Sequence, residues 1–222
     1  MQKAINQFNG NINAINEMGS LYHHLTNVLK LPNDLSDILR SQIVYSVSAL
    51  DKLIHELVKC GMLQAFKGQR TKTKKFNDFA ISLETYHNIQ SINHAAGDIL
   101  QLVTPEFYFE QEIILKHKHL AFQDPEKIAD ALSFIWDETQ KWKKIACALN
   151  EPEDPIKKRL KIIVSRRNQI VHEADISLQS NLRNHIGHVE VIESIGQNND
   201  LISPGVKPRR HSGINSKLSL NT

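Results

Sequence analysis

Cysteine is nearly absent from this chain: Cys60 and Cys147 are the only two in 222 residues, and each stands alone in a helix-like segment. A disulfide framework and a zinc knuckle are thereby excluded, and both thiols are expected to be reduced core residues. Glycine (9) and proline (7) are sparse and aromatics make up 6% of the chain, which excludes a collagenous protein and disfavours a β-sandwich. No apolar run approaches the roughly 18 residues that a membrane span needs. The opening MQKAINQFNGNINAINEMG lacks the basic start and apolar stretch of a secretory signal. The expectation is a soluble, cytoplasmic chain with no membrane partner, and its 41% apolar content over 25.3 kDa is enough for a sizeable core.

Charge of one sign is also missing over most of the length. From Ser194 onward there are four cations (Lys207, Arg209, Arg210, Lys217) and one acid (Asp200), so the whole net charge of +3 sits there and residues 1 to 193 balance to zero. A uniformly basic coat for nucleic acid is absent, and any phosphate contact must come from local clusters.

What is present is helical periodicity. Ile5, Phe8, Ile12, Ile15, Met18, Tyr22, Leu25 and Leu29 draw one stripe, so a helix is expected to run to about Lys30, before Pro32, and to pack within the chain. Asn33 or Asp34 then caps a second helix with Ile43, Val47, Leu50, Ile54, Leu57 and Val58 on one face, and Gly61 begins its end. Residues 67 to 75, KGQRTKTKK, hold five cations and no acid and read as an exposed basic loop. A solvated connector explains that loop, and so does a phosphate-contacting role for Lys67, Arg70, Lys72, Lys74 and Lys75. Thr104-Pro105, Asp124-Pro125 and Asp154-Pro155 each place a capping oxygen before a proline at a first helical position. The second of these opens one amphipathic helix carrying Ile128, Leu132, Ile135, Thr139, Trp142, Ile145 and Leu149, with Lys141, Lys143 and Lys144 mostly outside. The reading is all-α, an up-and-down bundle of five to seven helices over residues 1 to 196, followed by a flexible, polar, basic C-terminal tail at 197 to 222.

Metal and phosphate-loop chemistry find no support. His55-Glu56 resembles the start of HExxH, but Lys59 stands where the second histidine belongs, and Glu84 with His87 makes a single ExxH. His117 with His119, and His185 with His188, read as exposed histidines rather than ligand pairs, so no metal and no cofactor is expected. There is no Walker loop, no GxGxxG and no GxSxG.

The last strong helix, from Pro155 through IKKRLKIIVSRRNQIVHEADI, differs. Ile156, Leu160, Ile163, Ile170 and Ala174 form its stripe, and at about 100° per residue Arg167 falls near the stripe's centre. A guanidinium there needs an anion, whether a protein carboxylate or a ligand phosphate. Asn168 and His172, at i and i+4, share a second face, where the amide can hold the imidazole. A cation, an amide and an imidazole suit phosphodiester cleavage without a metal. Histidine exchanges a proton near neutral pH, Arg neutralises charge at phosphorus, and RNA brings its own 2′-hydroxyl nucleophile. One histidine cannot be both base and acid in one step, and Arg167 and His172 point about 140° apart. A two-fold homodimer apposing two copies of this helix resolves both difficulties.

Arg167-Asn168-Gln169-Ile170-Val171-His172 matches the R-x4-6-H signature, with Asn after Arg, of the HEPN superfamily. The surrounding SRRNQIVHEADI resembles its RiboL-PSP-HEPN branch, and SALDKLIHELV and DPEKIADAL are similar to corresponding helices over roughly residues 35 to 176. The resemblance implies an up-and-down helical bundle and a dimeric, metal-independent endoribonuclease of toxin–antitoxin or phage-defence type. It implies catalytic Arg167 and His172 with Asn168 beside them, RNA as substrate, and a cognate antitoxin or regulatory protein as partner. A non-catalytic HEPN module for dimerisation or partner regulation is the alternative. Arg166 precedes Arg167 and also fits the spacing, although the stripe favours Arg167. Asp51 and His55, i and i+4 on the second helix, are second-tier site residues: either a surface pair, or, for Asp51, the anion for Arg167 or a further groove residue. The family pattern continues into another amphipathic helix, for which residues 181–196 offer a short candidate.

Overall fold

The first stripe folds as expected. In the computed structural model, which describes residues 1–94 and 103–172, α1 (Gln2–His23) buries Ala4, Ile5, Phe8, Ile12 and Ile15. A π-helical turn, His24–Val28, follows, and the chain leaves helical geometry at Lys30, whose φ is 49°. α2 (Ser36–Phe66) starts where the Asp34 carboxylate accepts the Ser36 N–H at 2.9 Å. It runs antiparallel to α1: Gln42 Nε2 donates to the Ile15 carbonyl at 2.7 Å, while Met1 lies beside Gly61 and Arg70 at the far end.

α2 does not begin to end at Gly61 but continues to Phe66 and turns at Gly68, where φ is +71°. Gly61 is instead a point of close approach, since a Cβ there would lie 2.5 Å from Ile135 Cγ2. Gly61→Ala is therefore expected to destabilise by about 1–3 kcal/mol, the usual cost of overpacking, despite roughly 1 kcal/mol gained in helix propensity. Gly10 meets nothing within 4 Å, so Gly10→Ala should stabilise by about 0.5–1 kcal/mol. Urea midpoints at constant m check both; equal shifts would mean Ile135 moves aside freely.

The single helix expected over residues 125 to 149 is two: α6 (Pro125–Leu132) and α7 (Lys141–Ala148). The break has an identifiable cause in the basic segment before them. Thr73 Oγ1 donates to the Ser133 carbonyl at 2.8 Å and Arg70 Nε to the Ile135 carbonyl at 2.9 Å, so carbonyls released by the interrupted helix have partners. The break turns Ile135 and Trp136 into the core, and Trp142 Nε1 ties α7 back to the Pro125 carbonyl at 2.8 Å. Lys141, expected outside, is buried, its ammonium donating to the Glu138 carbonyl.

The remaining elements are the one-turn α3 (Lys74–Asn77), α4 (Leu83–His94), α5 (Pro105–His117) and α8 (Glu153–His172). α8 begins two residues before Pro155, so that proline sits in the first turn, where its missing N–H costs nothing. Glu112 of α5 is buried and accepts from Ser82 N, Ser82 Oγ and Thr85 Oγ1, fastening the start of α4. α2 lies at the centre, packed by α1, α5, α6 and α8, with Leu50, Ile54, Leu57, Met62, Leu132, Ile156 and Leu160 almost fully enclosed.

The described residues are all-helical, with eight helices rather than five to seven; the excess is the split of α6 from α7 and the single turn of α3. None of these helices is long and apolar enough to cross a membrane. Cys60 is only half-buried and Cys147 is exposed, so neither is a core thiol. His117 is buried, not exposed, whereas His119 is exposed. The expected tail from 197, His185 with His188, Ala174 and the short helix at 181–196 lie outside the described residues.

Candidate active site

α8 carries the motif at its C-terminal end. Glu153 and Asp154 in its first turn complement the helix dipole, and Ile156, Leu160 and Ile163 anchor it in the core. Continuing that line by four and then three residues leads to Arg167 and Ile170, both half-buried. The stripe position of Arg167 has a consequence at its guanidinium. The Nε is out of solvent with no hydrogen-bond acceptor among the described residues, and Nη1 donates to Asn168 Oδ1 at 3.0 Å. A half-buried cation with one neutral acceptor and no carboxylate among the described residues is poised to take an anion. Arg166 is also half-buried, with Nη1 3.4 Å from Gln169 Oε1.

Asn168 and His172 are exposed on the other face. The expectation that the amide holds the imidazole is not met, because Asn168 Oδ1 is engaged by Arg167. Asn168 orients the cation instead.

Asp51 does not serve as the anion for Arg167. Its Oδ1 accepts the Phe122 N–H at 2.5 Å, and Oδ2 lies 3.9 Å from His55 Nε2, which also faces the Leu120 carbonyl at 3.1 Å. Asp51 and His55 together fasten the α5–α6 connection to α2, a role that their i, i+4 spacing alone does not reveal.

The basic segment is divided in function. Arg70 donates to the Ile135 carbonyl and burial lowers its pKa, while Lys75 pairs with Asp130 and lies 4.6 Å from the Phe134 ring centroid. Lys67, Lys72 and Lys74 point outward. Thr73, buried, caps α3 through Phe76 N. Two of the five cations of the expected exposed basic loop, Arg70 and Lys75, thus belong to a structural strap.

A second charged surface is one that the sequence reading misses. An open groove of about 470 Å³ runs along α8, where Lys157, Lys158, Lys161 and Ser165 meet Glu126 and Asp154, so its three lysines face two carboxylates. At about 100° per residue, Lys157, Lys161, Ser165, Asn168 and His172 fall within one 80° arc, so the groove leads along the helix to the motif. Lys161 bonds Glu126 at 2.9 Å, and this hydrogen bond raises its pKa. The signal that could have found it is the i, i+4, i+8 file of polar residues opposite the stripe. Among the described residues, no three His, Cys, Asp or Glu side chains gather as a metal site.

Comparison with known proteins places these features. No curated protein and no solved structure matches the chain. The model of one family, RiboL-PSP-HEPN, matches residues 9–202, which span the core, α8 and the Arg167-to-His172 motif. The chain belongs to the RiboL-PSP-HEPN family.

Proposed function

We propose that this protein is a metal-independent endoribonuclease of the HEPN type, acting in the cytoplasm as a toxin or phage-defence effector under a cognate antitoxin or regulatory protein. The observation that carries the reading is Arg167: a half-buried cation on the core stripe, held by Asn168, with no carboxylate partner and no acceptor for its buried Nε among the described residues. His172 stands exposed five residues on. In the proposed step one His172 removes the proton of a ribose 2′-hydroxyl, the 2′-oxygen attacks the adjacent phosphorus, and the P–O5′ bond breaks. A second His172, from the other subunit of a homodimer, gives its proton to the departing 5′-oxygen. The products are a 2′,3′-cyclic phosphate and a 5′-hydroxyl, with Arg167 neutralising the charge that builds on phosphorus. Exposed Val171, which at about 100° per residue falls between Arg167 and His172 around α8, is apolar surface that such a subunit contact would cover.

The test is cleavage of RNA by the purified chain in EDTA, with end-group analysis of the products. No cleavage across varied RNAs would leave the non-catalytic module as the better account. Light scattering at micromolar concentration is expected to give a dimer, and a strict monomer with and without RNA would sink the shared-groove mechanism.

RNA contact is assigned to local cations. Neutralising Lys67, Lys72 and Lys74 together is expected to flatten the slope of log K against log salt, by about 0.7 for each single-strand phosphate no longer neutralised. Arg70 and Lys75 are left in place because they strap the α6–α7 break, so the triple variant should keep its melting temperature. An unchanged slope would make the segment a connector only and move RNA binding to the α8 groove.

A further inference from the structure

We draw no further inference here: the strongest candidate, the apolar surface patch that Leu21, Val28, Leu29 and Leu31 leave exposed around the π-helical turn after α1, is an unpartnered face, and nothing in the structure shows what covers it.

Discussion

His172→Ala is expected to remove RNA cleavage in EDTA by a factor of about 10²–10⁴, the usual contribution of general acid–base catalysis, and to leave the melting temperature nearly unchanged. His172 is exposed at the end of α8, and surface substitutions of this kind stay within about 0.5 kcal/mol. Arg167→Ala is expected to lose a comparable factor, about 10²–10³, from charge stabilisation. Its effect on stability separates two pictures. Had Asp51 been its partner, removing Arg would have stranded a carboxylate at a cost of roughly 3–5 kcal/mol. Asp51 is instead satisfied by Phe122 N and His55, and Arg167 bonds Asn168. Arg167→Ala should therefore cost little or stabilise slightly, as relief of a functional site often does. Cleavage gels run beside melting curves decide. A His172→Ala protein that cleaves RNA at the parent rate would end the ribonuclease reading.

The same residues show how far the sequence can be read. The α8 stripe is legible because helical periodicity alone places Ile156, Leu160, Ile163 and Arg167 in line, and the structure buries the first three and half-buries the fourth. Periodicity is blind to what lies across a gap in sequence. The apolar pattern from Ile128 to Leu149 is a valid helix pattern, yet the chain breaks at Ser133 because Thr73 and Arg70, 60 or more residues earlier, offset the cost of the turn by binding its carbonyls. Gly61 is legible as a helix breaker by propensity and proves to be a contact with Ile135, again a non-local partner. The charge count of residues 67 to 75 is correct, but charge says nothing of whether a cation faces solvent or a backbone carbonyl. At the motif, spacing puts Asn168 on the face of His172; the side chain turns to the stronger partner, a cation one residue away.

His117, expected to be exposed, is buried instead, and that burial sets a pH effect on stability. Burial, with the His55 imidazole and the Lys75 ammonium nearby, pushes its pKa down from 6.5 to about 4. The other groups around it are the rings of Phe79, Phe122 and Phe134, which offer no counter-charge. Because the folded pKa is the lower one, the unfolded chain takes up the proton first as pH falls. Above about pH 6.5 the histidine is neutral in both states and contributes no penalty. Between pH 6.5 and pH 4 the unfolded state is favoured progressively, and the full loss, about 3 kcal/mol, is reached below the folded pKa. Glu112 acts in the same direction but later, since hydrogen bonds from Thr85 and Ser82 outweigh its burial and lower its pKa, and its contribution fades only as pH falls through that lowered value. Subtracting one variant isolates the histidine. His117→Phe keeps a ring among three phenyl rings and cannot protonate, so its stability should equal or exceed the parent's at pH 7, and its advantage should grow by about 3 kcal/mol on going to pH 4. Urea unfolding of both proteins across that range measures the difference, and parallel curves would show that the ring is solvated and its proton shared equally by the folded and unfolded states.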